Sequence, residues 1–267
     1  MLVDVHSHLN HEYFHDKLDE VIKRAKNAGV KRIVISGVNP SSNKKILEIK
    51  KKYPDIVRCT AGIYPIDALG LAPDASGLER QTEPIDLDQQ FEWIKQNKKD
   101  FIGIGEVGLD FHWDKENHEK QIENFKRIIE FAIKIKKPLI IHSRKAEQEC
   151  FDILNEYKKS NKNLKISFHS YQGSKKLLQK IADSGMYFSI PPNIVKLPQS
   201  QQIAEIVSMN RILTETDAPW LSPYSDKKNE PAFVVETIKK IAEIKKLTEK
   251  EVMNNIWINY VDFFDDA

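Results

Sequence analysis

Short apolar runs rich in β-branched residues recur along the chain and alternate with longer amphipathic stretches. In the first half, Leu2–His6, Arg32–Gly37, Val57–Gly62 and Phe101–Gly105 read as strands. In the second half, Pro138–His142, Lys165–His169, Met186–Ile190 and Arg211–Thr214 bring the number of expected strands to eight. Helical periodicity lies between them. Lys17–Ala28 repeats apolar residues at Leu18, Val21, Ile22 and Ala25. Glu119–Ile135 does so at Ile122, Phe125, Ile128, Ile129, Ala132 and Ile133. Gly29 and Gly185 mark helix exits, where a left-handed residue costs glycine little. A further helix pair, near Ala232–Lys245 and Thr248–Phe263, follows the last strand, and Thr248 with Glu251 predicts a capping box.

Alternation of strand and helix along the whole chain implies a parallel sheet. Eight strands favour a closed (β/α)8 TIM barrel, with extra C-terminal helices, over an open doubly wound sheet. No glycine-rich phosphate loop follows the first strand, which also argues against a nucleotide-binding sheet. The one long irregular stretch, Tyr64 to Pro84, is expected to be a loop at the barrel mouth. The chain has 267 residues, a length that suits one barrel domain spanning 1–267.

Hydrophobic residues make up 40 % of the chain and charged residues 30 %, with a net charge of +2. That balance points away from a dedicated nucleic-acid coat or membrane patch, without excluding a local basic rim. The lysines at 44, 45 and 50–52 read as a solvated helix face. Two cysteines in unrelated segments, Cys59 and Cys150, are not a disulfide framework and suit a reducing compartment. No apolar stretch reaches the roughly 18 residues needed to span a bilayer. The expected location is cytoplasmic, with neither membrane contact nor an obligate protein partner.

Chemistry collects where the strands end. The first strand ends in His6-Ser7-His8, and residues two apart share a face of a strand, so both imidazoles can point into the mouth. The fourth runs into Gly105-Glu106-Val107-Gly108-Leu109-Asp110, the fifth into His142-Ser143-Arg144, the sixth into His169-Ser170-Tyr171, and the eighth into Glu215-Thr216-Asp217-Ala218-Pro219. Singly, each is unremarked: a histidine at a strand end is usually hydrogen-bonded structure, and a carboxylate there is usually solvated. Together, four histidines and two carboxylates stand at the end of the barrel that carries active sites, and these are the ligand types of divalent transition metals. Six ligands exceed the needs of one tetrahedral ion. A two-ion division places His6, His8 and Asp217 on one metal and His142 and His169 on the other, with Glu106 bridging. Ions about 3.5–4 Å apart can share a hydroxide and clamp attacking and leaving oxygens.

These stretches, with Ile104–Asp110, Ile141–Arg144, Phe168–Ser170, Gly173-Ser174, Thr214–Pro223 and Asn229–Pro231 in that order, resemble the TatD family of metal-dependent deoxyribonucleases within the amidohydrolase superfamily. The resemblance covers nearly the whole chain. It implies the same six ligands: His6, His8, Glu106, His142, His169 and Asp217. One departure stands out. The family usually carries His-Pro-His after its third strand, whereas this chain reads Tyr64-Pro65-Ile66-Asp67. The family's histidines there are associated with substrate or phosphate contact. Tyr64 and Asp67 are candidates to replace them.

The expected reaction is hydrolysis of a phosphodiester in short or single-stranded DNA, 3'–5' exonuclease-like, by a bridging hydroxide. Two dications held by two carboxylates leave a positive site that suits a phosphate. Asp217 would orient the water and accept its proton, and Glu106 completes the catalytic pair. Glu215 is a candidate supporting residue. Arg144 offers a fork that matches phosphate oxygens, while Trp220 and Tyr171 are candidates to stack a base. Four imidazoles favour Zn, Mn, Co or Ni, although the family is usually described as Mg-dependent. The same metal site could instead hydrolyse an ester, amide or lactone, which is the alternative reading.

Overall fold

The computed structural model describes residues 1–71 and 77–266. Eight parallel strands follow one another around a single sheet in chain order: β1 (Leu2–Ser7), β2 (Val30–Ser36), β3 (Val57–Ala61), β4 (Gly103–Asp110), β5 (Leu139–Arg144), β6 (Ile166–His169), β7 (Tyr187–Ile190) and β8 (Ile212–Thr214). The circle closes between the last strand and the first. Thr214 Oγ1 donates to the Val3 carbonyl at 2.6 Å. Just beyond β8, the amide of Asp217 donates to the His6 carbonyl at 2.8 Å, and the amide of His8 to the Ala218 carbonyl at 2.9 Å. The expected (β/α)8 barrel is therefore present.

Helices α1 (Leu18–Asn27) and α2 (Pro40–Lys52) follow the first two strands; α3 (Pro65–Ala68) and α4 (Leu87–Gln96) follow the third. Next come α5 (His118–Ile135), α6 (Glu147–Ser160), α7 (Lys175–Asp183) and α8 (Pro198–Ile206). The last pair, α9 (Val234–Lys245) and α10 (Glu249–Phe264), packs behind the closed strands. Val21, Ile22 and Ala25 of α1 are buried, as are Phe125, Ile128, Ile129 and Ala132 of α5, each on the face that the helical period selects. Gly29 and Gly185 adopt φ of 89° and 75°, the left-handed exits expected of them.

Two boundaries differ from expectation in a way that matters. β4 does not stop at Gly105 but runs on to Asp110, and β5 runs on to Arg144. The two pair through Gly108 opposite His142 and Asp110 opposite Arg144. Polar residues in this stretch hide the strand from a hydrophobic-pattern reading. The ladder continues because Gly108, at φ 144°, lets the backbones close up; a Cβ there would lie 1.9 Å from the His142 carbonyl oxygen. The expected loop from Tyr64 to Pro84 is also more structured than its composition suggested. It opens with α3, started by Pro65, and its residues 78–81 fold back over the mouth; residues 72–76 lie outside the described residues. Among the described residues no helix is long and apolar enough to cross a membrane. Cys59 and Cys150 are buried free thiols.

Candidate metal centre and cleft

The C-terminal ends of the strands surround a cavity of about 540 Å³. His8 enters it from just past the end of β1, Glu106 from β4, His142 from β5, His169 from β6, and Asp217 from the turn after β8, while His6 of β1 is fully buried against them. All six expected ligands are brought together. At their centre stands Glu106. Its Oε2 lies 3.4 Å from His8 Nε2 and 3.7 Å from His6 Nε2. Its Oε1 lies 2.7 Å from His142 Nδ1 and 3.2 Å from His169 Nε2. Each carboxylate oxygen thus faces a different histidine pair. Asp217 Oδ1 completes the first group, 3.6 Å from His6 Nε2 and 3.5 Å from His8 Nε2. Asp217 holds φ at 55°, a left-handed conformation that aspartate tolerates better than most residues and that turns the chain back toward β1.

The inward nitrogens are chosen by what lies behind them. Ser36 Oγ sits 3.0 Å from His6 Nδ1 and is itself hydrogen-bonded by Thr60. Asp110 Oδ2 sits 2.9 Å from His142 Nε2 and also accepts from the Tyr64 hydroxyl at 2.6 Å. Glu215 Oε2 lies 3.8 Å from His169 Nδ1. The partners of His6 and His142 fix ring orientation and tautomer, as such partners do behind metal-bound histidines, whereas Glu215 stands beyond hydrogen-bond reach of His169. Ser36 and Asp110 were not singled out by the sequence reading. For Asp110 a signal existed: it lies four residues from Glu106 in one strand, hence on the same face. For Ser36 none did.

The electrostatics are those of a crowded, dry site. Burial and the neighbouring His169 hold His6 well below its ordinary 6.5. Burial opposes charge on His8 and His142 too, but their carboxylate neighbours prevail. Asp217 and Glu106 push His8 up to about 9, and Asp110 and Glu106 do the same for His142. Burial would raise the Glu106 carboxyl, yet the surrounding imidazoles, His169 foremost, hold it well below the usual range. In the same way Asp110, despite burial, is held at about 2 by His142 and Tyr64.

This donor set fits divalent cations. His6 Nε2 and His8 Nε2 approach to 3.1 Å, so two lone-pair-bearing atoms aim at one point with carboxylate oxygens on the same side. A second such group is formed by Glu106, His142 and His169. A third, His6 with His169 and Glu215, is less apt, because the Glu215 carboxylate already accepts from the Ser189 hydroxyl and, at 2.8 Å, the Ser170 amide.

The residues expected to touch substrate divide. Arg144 is exposed at the rim, its guanidinium 5.5 Å from the Trp113 ring. Tyr64 and Trp220 line the cavity, Trp220 edge-on to His8 and His11. Tyr171 does not reach the cavity: it is 3 % exposed, lies edge-on to Phe168 and Phe188, and donates to the Ser174 carbonyl. The positive φ of Ser170, 43°, turns the chain away from the mouth before Tyr171. Glu215 is fully buried beside His169 and outside the cavity, its carboxylate engaged by the Ser189 hydroxyl and the Ser170 amide. Asp67 is also fully buried, paired with Arg80 at 2.7 Å. Several cavity residues escaped the sequence reading, and two of them bear on substrate. One is Trp113, 53 % exposed at the rim. The other is Arg80, brought in by a loop with no periodic pattern.

A (β/α)8 barrel with imidazoles and carboxylates converging at its C-terminal mouth defines a metal-dependent hydrolase. The chain belongs to the family described as TatD related DNase, which matches residues 3–265. An uncharacterized metal-dependent hydrolase of Methanocaldococcus jannaschii is 32 % identical over 98 % of this chain and 96 % of its own. Human deoxyribonuclease TATDN3 is 30 % identical over 98 % of this chain and 94 % of its own. Among solved structures, the TatD homolog YJJV of Escherichia coli superposes with a TM-score of 0.85 at 19 % identity, covering 100 % of this chain and 98 % of that one, a likeness of fold.

Proposed function

We propose that the chain is a deoxyribonuclease that hydrolyses phosphodiester bonds in short or single-stranded DNA from an end, in the 3'–5' sense, with two divalent metal ions at the mouth. One observation carries the reading: the two oxygens of Glu106 face separate histidine pairs, the arrangement of a carboxylate shared between two ions. His6, His8 and Asp217 would hold one ion and His142 and His169 the other. The names of relatives such as human TATDN3 point to DNA as the substrate.

Bound there, two ions would lower the pKa of a water molecule and offset charge on the phosphate. The side chains do the rest. Asp217, whose carboxylate is partly open to the cavity, would orient that water and accept its proton. Asp110 keeps His142 turned inward. Arg144 meets phosphate oxygens at the rim, and the exposed Trp113 and the cavity-lining Trp220 offer faces to nucleobases.

The test is reconstitution. The protein is stripped of metal, given back Mg, Mn or Zn, and followed on end-labelled single-stranded DNA beside a Glu106→Ala control. Stepwise shortening that depends on metal and vanishes in the control is expected. Full metal binding without cleavage by any metal would overturn the nuclease reading.

A further inference from the structure

The wall of the cavity also carries a cation, Arg80, whose position is unusually determined. Arg80 lies in a loop, yet its side chain is only 11 % exposed and lines the cavity. Three ties hold it. Its Nη2 pairs with Asp67 Oδ2 at 2.7 Å. The residues on either side are pinned to the same group: Asn39 Nδ2 donates to the Glu79 carbonyl at 2.7 Å and to Asp67 Oδ1 at 2.8 Å, and the Gln81 amide donates to Asp67 Oδ1 at 2.8 Å. The guanidinium lies over the Tyr64 ring, 4.9 Å from its centroid. That ring in turn stands 4.9 Å from His142. Asn39 is itself fixed as the N-cap of α2 by a capping box with Ser42.

These ties use one of the guanidinium nitrogens. Its Nε is buried and, among the described residues, meets no hydrogen-bond acceptor. A buried guanidinium donor left unmatched is costly, and the cost is removed when an anion arrives. The side chain is rigid before binding, so little freedom is lost on contact. One tyrosine ring separates Arg80 from the proposed metal ligand His142. An anion held by Arg80 therefore sits beside the metal centre and not on it.

We propose that Arg80 is a specificity residue of the cleft: with Asp67 as its anchor, it binds a non-scissile phosphate of the substrate, adjacent to the phosphate under attack. Asp67 is then a positioning residue, acting through Arg80. The inference rests on the phosphodiesterase reading but can be judged apart from it. Binding is measured on the metal-loaded protein, by anisotropy of a labelled phosphorothioate oligonucleotide and of the same oligonucleotide with neutral methylphosphonate linkages. Arg80→Met, and Asp67→Asn/Arg80→Met in which no buried charge is left alone, are expected to weaken the charged oligonucleotide about tenfold or more and to leave the neutral one unchanged. Binding as tight as wild type, or an equal loss on both oligonucleotides, would overturn the assignment to phosphate. Cleavage of bis(p-nitrophenyl) phosphate, which has a single phosphate, is the separate control on function. It is read on the wild-type protein: turnover there supports the phosphodiesterase reading, and a wild-type protein inert on every phosphodiester would sink the nuclease reading while the binding result still decides Arg80.

Discussion

At Asp110 one carboxylate oxygen, Oδ2, holds two neighbours: it receives the Tyr64 hydroxyl and faces the outer nitrogen of His142, which leaves Nδ1 to point at Glu106. Removing the charge while keeping the shape weakens the basicity of that imidazole and loosens its orientation. Asp110→Asn is therefore expected to reduce affinity for divalent metal by roughly 10- to 100-fold, the usual cost of losing such a partner. Competition with a chromogenic chelator checks this; unchanged affinity would mean that His142 needs no support from Asp110. Tyr64 gains a meaning from the same contact. In the segment where the family usually carries histidines, this chain places a phenol that braces Asp110 and forms the platform for Arg80, and a carboxylate that anchors Arg80.

Among the elements, the two C-terminal helices close the barrel from behind. α10 starts with a complete capping box, in which Thr248 Oγ1 accepts from the Glu251 amide and the Glu251 carboxylate accepts from the Thr248 amide. Beyond it the helix buries Val252, Ile256, Tyr260 and Phe263. Thr248→Ala is expected to cost about 1 kcal/mol of stability, the common value of an N-cap, seen as a lower midpoint in urea with an unchanged slope. Metal-dependent activity should persist, since the cap is remote from the mouth. A change in metal affinity would show that α10 is coupled to the site. β4 teaches the opposite lesson about elements: its polar second half reads as a loop by pattern, and only pairing with β5 makes it strand.

Across the whole molecule, the proposed ligands come from five places in the chain, so a bound ion ties the barrel's ends together and stabilises the fold by mass action. Protons compete for the same nitrogens. In the metal-free chain His8 and His142 are raised from 6.5 to about 9 by their carboxylate neighbours. Their protonation favours folding fully below about pH 6.5, and that contribution is lost as pH rises through about 9. Metal requires them neutral, so its binding releases protons and strengthens over the same interval. The rise in Tm on adding a fixed excess of Mn is thus expected to be larger at pH 8.5 than at pH 6.5. An equal rise at both would show that His8 and His142 are not ligands.

The sequence by itself determined the barrel and the identity of the converging groups. Eight apolar runs with helical spacers leave one economical parallel arrangement, and His6-Ser7-His8, Glu106, His142, His169 and Asp217 stand at strand ends where strand periodicity assigns their direction. Tertiary structure alone decided which nitrogens face inward, that Glu106 stands between two histidine pairs, that Tyr171 and Glu215 lie outside the cavity, and that Arg80 lies within it. The reason is range. Strand direction is a local property of alternating side chains, whereas Ser36 behind His6 and Asp110 behind His142 are contacts between strands distant in the chain, and Asp67 meets Arg80 only through the path of an irregular loop. No spacing along the sequence encodes them.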